Sequence, residues 1–151
     1  MKSQSLFQVA LPFLVLFALG CQKQAGEAAP AVAEGAAGNA ADGPASIEIP
    51  AKLADNVAAA DAKAGEALFN SKGCKACHKL DDVKLVGPGL KGVTGRHSLP
   101  WMARMILKPE VMVKEDAEAK RLFALHMTPM GNQNVNPETE LPALLAFLKT
   151  L

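Results

Sequence analysis

Two cysteines three positions apart with a histidine directly after the second, Cys74-Lys75-Ala76-Cys77-His78, constrain this chain more than any other stretch. The spacing is that of c-type haem attachment, in which each thiol adds across one porphyrin vinyl group to give a thioether. Residues i and i+3 of a helical turn face the same side, which matches two vinyls on adjacent pyrroles. His78 comes next, so its imidazole reaches the iron on the face already fixed by the two covalent bonds and becomes the proximal ligand. Two blander readings use the same residues: a pair of buried cysteines, or half of a zinc site with Cys74, Cys77 and His78 as ligands. Zinc needs a fourth ligand and usually a second paired cluster, which the sequence does not offer.

At 151 residues there is room for one compact domain, and shifts in composition leave about two-thirds of the chain to it. Lys and Arg total 16 against 15 Asp and Glu, a balance that gives no general pull towards nucleic acid. With Cys74 and Cys77 assigned to the haem, the third cysteine, Cys21, is left alone and no disulfide framework is possible.

Residues 1–20 read as an export signal. Lys2 gives a weakly basic start, and Leu6 to Leu19 is apolar but too short, and too broken by Gln8 and Pro12, to span a membrane. The stretch Phe17-Ala18-Leu19-Gly20-Cys21 resembles the lipobox of bacterial lipoproteins, departing from it in having Ala18 where leucine is favoured. That resemblance implies lipidation of Cys21 and a periplasmic protein anchored to a membrane. Gln22 in place of Asp favours the outer membrane. Several acyl chains at about 0.8 kcal/mol per buried methylene would hold it firmly. Residues 21–60, rich in Ala, Gly, Pro and Glu, then read as a flexible tether, with Ile47, Ile49 and Leu53 packing loosely on the domain.

The haem domain is expected over residues 61–151 and all-α. Asp61 is placed to cap a helix with Gly65, Leu68 and Phe69 on one face and Gly73 as its terminator. Ser98, with Pro100 in the first turn, starts a helix that Lys108-Pro109 closes. Asp116 caps another through Leu122, Phe123 and Leu125. Thr139 is the expected cap of the last helix, from about Glu140 to Lys149, with the stripe Leu141, Leu144, Leu145 and Leu148. His97 reads as a surface residue.

Gly65 and Phe69 ahead of Cys74-Lys75-Ala76-Cys77-His78 resemble the first helix of class I c-type cytochromes, small bacterial monohaem proteins. The resemblance implies the cytochrome c fold, short helices around one covalent haem c with the first and last helices crossed. Gly65 would permit the crossing and Phe147 would supply the aromatic contact. In Val86-Gly87-Pro88-Gly89-Leu90, otherwise simply a turn, it makes the Pro88 carbonyl the acceptor for His78 Nδ1. It also suggests Trp101 and Arg96 as partners of a haem propionate.

The sixth iron ligand is expected from the loop His126-Met127-Thr128-Pro129-Met130-Gly131-Asn132-Gln133. Pro129-Met130 ahead of Asn132-Gln133 resembles the axial-methionine loop of the same family, which favours Met130 over Met127, with His126 as a third candidate. With His78 and Met130 on the metal no site is open for a substrate, so the expected function is one-electron transfer between respiratory components, not catalysis. A haem enzyme subunit or gas sensor with a labile distal ligand is the alternative. From Asp61 onward 13 Lys and Arg stand against 10 Asp and Glu, and Lys72, Lys75, Lys79, Lys84 and Lys91 surround the haem motif. A mild basic ring of this kind suits acidic redox protein partners and a monomeric carrier.

Overall fold

The computed structural model describes residues 42–151. The expected export signal, Cys21 and the first half of the expected tether lie outside them. Among the described residues the chain forms seven α-helices and no strand: α1 Leu53–Ala59, α2 Ala62–Ser71, α3 Val93–Arg96, α4 Leu99–Leu107, α5 Pro109–Glu115, α6 Ala117–His126 and α7 Leu141–Leu148. The described residues adopt the expected all-helical fold.

Local chemistry explains most of the boundaries. The Asp61 carboxylate accepts from Lys63 N–H at 2.8 Å and starts α2, and Gly73, at φ 79°, stops it where a side chain would be strained. Ser98 Oγ accepts from Trp101 N–H at 3.2 Å to open α4. Asp116 does the same for α6 through Ala119 N–H at 2.8 Å.

Every residue of α7 is buried, and the helix lies across α2. At the crossing a Cβ on Gly65 would stand 1.9 Å from the Ala143 carbonyl oxygen, so only glycine lets the two backbones meet. The rings of Phe69 and Phe147 pack beside it with centroids 5.6 Å apart and planes tilted by 57°. This crossing fixes the direction in which α2 delivers the chain to Cys74.

Three sequence expectations need correction. The expected tether does not reach Ala60, because residues from Asp42 onward belong to the folded body. Ile47, Leu53 and Val57 are buried at 4, 5 and 2% exposure, and α1 packs on α7 and α4. Arg104 fastens this segment, donating through Nε to the Ile47 carbonyl at 3.0 Å and through Nη1 to that of Asp42. Ser46 Oγ donates to Glu115 at 3.0 Å, a further tie.

Pro109, the expected stop of α4, also begins α5. Its fixed φ and missing N–H suit a first helical position as well as a stop. The last helix starts one residue later than expected, with Glu140 at the cap position and Pro142 second in the helix. Thr139 lies in the preceding turn, its N–H bound to Asn136 Oδ1.

Candidate haem-binding site

The helix α2 runs into a 3₁₀ turn at Cys74–Ala76, with both Cys77 N–H and His78 N–H donating to the Cys74 carbonyl at 3.2 and 3.0 Å. Three residues per turn eclipses positions i and i+3, so the two cysteines share a side even more closely than an α-helical turn would bring them. Burial pushes the Cys74 thiol above its ordinary pKa, which keeps it protonated at neutral pH. Among the described residues no three His, Cys, Asp or Glu converge as a zinc site requires.

His78 is held from two sides. Its Nδ1 lies 2.9 Å from the Pro88 carbonyl, which can only accept, so Nδ1 carries the proton and Nε2 presents its lone pair. The segment supplying that carbonyl is tied back to the motif: Gly87 N–H donates to Cys77 at 2.8 Å and Leu90 N–H to Lys79 at 2.9 Å. Gly87 lies against the imidazole so closely that a Cβ there would be 2.6 Å from Cε1. Burial pushes the His78 pKa below the usual histidine value, against the opposing effect of the Pro88 bond. A neutral, oriented imidazole is the form a metal ligand needs.

Cys74, Cys77, His78 and Pro88 line a cavity of about 350 Å³. Met130 lines the same cavity, as do His126, Arg96 and Trp101. Met127 does not: it caps α6 in the left-handed region at φ 53° and is 78% exposed. The third candidate, His126, lines the cavity with its Nδ1 3.2 Å from the Val86 carbonyl, a bond that leaves Nε2 free, so Met130 is favoured over it by the resemblance of the loop alone.

Trp101 and Arg96 have partners other than those anticipated. The Trp101 indole N–H donates to Asp116 Oδ1 at 3.1 Å, the same oxygen that caps α6. Two N–H groups of Arg96 donate to the Gly89 and Lys91 carbonyls, which braces the loop following Pro88. Both side chains serve the site by shaping its wall.

Sequence reasoning missed His97. Far from being a surface residue, it lines the cavity and stacks on Trp101 with ring centroids 4.1 Å apart and planes 15° from parallel. Its Nδ1 is buried without a hydrogen-bond partner among the described residues. Its stacking partner is only four residues away, but α3 ends at Arg96 and α4 begins at Leu99, so the spacing is not a helical repeat and the turn between the helices sets the stacking.

These features fit a haem. Apolar walls from Phe69, Leu90, Leu122 and Phe123 suit a porphyrin face, the two thiols and the oriented imidazole supply the covalent and metal bonds, and the orphan His97 nitrogen is a site a propionate can satisfy.

Comparison with known proteins gives the same direction. The family model for Cytochrome c matches residues 62–151. A cytochrome c-type cyt cy of Rhodobacter capsulatus is 67% identical over 36 residues, 24% of this chain and 18% of that protein. Cytochrome c-551 of Stutzerimonas stutzeri is 54% identical over 37 residues, 24% of this chain and 35% of that one. These alignments therefore span well under half of either relative. Among solved structures, cytochrome c from Rhodothermus marinus superposes with a TM-score of 0.57 at 28% identity, over 72% of this chain and 89% of that one. An engineered form of that protein bound to a carbene intermediate superposes with a TM-score of 0.54 over the same shares.

Proposed function

Because the chain belongs to the cytochrome c family, whose members hold haem c covalently, we propose that it is a one-electron carrier with His78 and Met130 as axial ligands of a single haem. The observation that carries this reading is the lining of one cavity by the Pro88-oriented imidazole and by Met130, while Met127 lies outside. Bound there, the haem supplies a ferric–ferrous couple. The chain's own residues do the rest: thioethers from Cys74 and Cys77 prevent loss of the group, and a neutral methionine sulfur favours reduced iron and raises the potential. Phe69, Leu90 and Leu122 keep water from the metal, so little reorganises when the charge changes.

Replacing Met130 and Met127 in turn by alanine tests the assignment. The ferric holoprotein should show a sulfur-to-iron charge-transfer band that Met130→Ala abolishes and Met127→Ala keeps. The potential of the Met130 variant should fall, within the roughly 0.8 V that axial ligation spans, and its reduced form should bind carbon monoxide. Ready binding of carbon monoxide by the unaltered protein would favour a sensor or haem enzyme instead.

The same reading gives the protein an export signal over residues 1–20 and a lipid on Cys21, followed by a tether that ends near Asp42. The domain would then work in the periplasm at a membrane surface, the outer membrane being favoured. An otherwise unused thiol at the end of an apolar run supports it. Metabolic labelling with a fatty acid should mark the protein and leave a Cys21→Ala variant unmarked, and an unlabelled wild type would remove the anchor. Its partners are acidic redox proteins that supply and accept the electron. Lys75, Lys79, Lys84 and Lys91 stay in the basic ring that steers them, whereas Lys72 is paired with Glu140 at 2.6 Å.

A further inference from the structure

The loop that carries Met130 is anchored in the core at its end by Val135, which is 7% exposed, but makes few hydrogen bonds to the rest of the molecule. Across residues 128–135, and among the described residues, two hydrogen bonds reach another element. Asn132 Nδ2 donates to the Leu107 carbonyl at the end of α4, at 3.0 Å, and Lys72 Nζ donates to the Asn134 carbonyl at 3.1 Å. The other bonds of the loop are internal, such as Asn134 N–H to Asn132 Oδ1 at 2.8 Å, which keeps Asn134 in the left-handed region at φ 50°.

Lys72 is the stronger of the two ties. It caps α2 two residues before Cys74, so its backbone is fixed by the segment that bonds the haem. The ammonium also meets Glu140 Oε2 at 2.6 Å, and that same carboxylate oxygen accepts Asn136 N–H at 2.8 Å. Both side chains are about three-quarters shielded from solvent. The Lys72 ammonium, and then the Asn136 amide, hold the Glu140 carboxyl below its ordinary pKa. One cation thus joins the haem-attachment segment, the exit of the methionine loop and the start of α7.

We propose that Lys72 is a positioning residue that latches the Met130 loop closed and thereby sets how readily an outside ligand takes the sixth position of the iron. This rests on Met130 being the axial ligand. With the latch intact, the loop is rarely open and the thioether stays on the metal. With it gone, a larger open fraction raises the apparent affinity of any incoming base in proportion. The exchange replaces a thioether sulfur by a ring nitrogen with no change in iron oxidation state.

The probe is imidazole, titrated into the ferric holoprotein and read from the loss of the charge-transfer band. Lys72→Met should bind it on the order of fivefold more tightly than the wild type, as expected for one partly exposed charged bond. Glu140→Gln, which frees the ammonium but leaves the Asn134 bond, should fall between them and serves if Lys72→Met fails to mature. Lys72→Arg should stay near the wild type. Val57→Ala, which weakens the body away from the loop, should leave the affinity unchanged. If Lys72→Met and Glu140→Gln both bind imidazole as the wild type does, or Val57→Ala shifts it as much, the latch is refuted while His/Met ligation stands. Absence of the band from the wild type refutes the ligation itself, and the latch with it.

Discussion

Leu53→Ala is expected to lower the stability of the holoprotein by about 2–5 kcal/mol, the range for emptying a leucine site in a core that cannot fully collapse. Leu53 lies in the stretch whose composition reads as tether, where a truncation would move stability by no more than about 0.5 kcal/mol. The structure puts it at 5% exposure in the same core as Val57 and the leucines of α7. Partial unfolding of the segment is the one route by which the loss could shrink, because Arg104 would then release the Ile47 carbonyl to water. Denaturant titration of the haem absorbance checks it, a shift in midpoint at constant slope being the signature of lost stability. A midpoint equal to that of the wild type would return residues 42–60 to the tether.

Gly65→Ala should be similarly damaging, at about 3 kcal/mol or more, for the opposite reason. The added methyl has nowhere to go. Its carbon would stand 1.9 Å from the Ala143 carbonyl oxygen and 2.8 Å from Phe147 Cβ, whereas ordinary contact begins near 3.4 Å. The first of these obstacles is helix backbone, which cannot rotate aside as a side chain can, so α2 and α7 must part along their length. Parting them loosens the Phe69–Phe147 contact and buried Leu144 and Leu145. It also moves the C-terminal end of α2 and with it the geometry of Cys74 and Cys77. A lower denaturation midpoint together with a poorer yield of covalently attached haem is the expected pair of results. A variant as stable as the parent would mean that the helices do not cross at residue 65.

What could be read from the sequence was whatever the chain decides within a few residues. The haem motif, the capping residues Asp61, Ser98 and Asp116, and the terminator Gly73 each act on their own turn, and the helices start and stop accordingly. The crossing at Gly65 and the Pro88 carbonyl bond were within reach only through family resemblance, because neither leaves a mark in local pattern. Features set by distant contacts were out of reach. Leu53 and Val57 stand four apart, but one such pair in an alanine-rich stretch is too short a run to mark a helix, and the burial of Ile47, Leu53 and Val57 depends on α7 and α4. The indole bond to Asp116 and the ion pair of Lys72 likewise join residues whose neighbourhood only the folded chain creates.

The Asp116 carboxylate oxygen that starts α6 and receives the indole N–H makes one corner of the molecule report on another. Trp101 cannot swing outward without giving up its bond to the carboxylate that caps α6, and fraying of α6 at that end moves the acceptor that holds the ring. Since the chain has a single tryptophan, its emission is a built-in gauge of that corner, brightening as the indole withdraws from the pigment and changing colour as water reaches it.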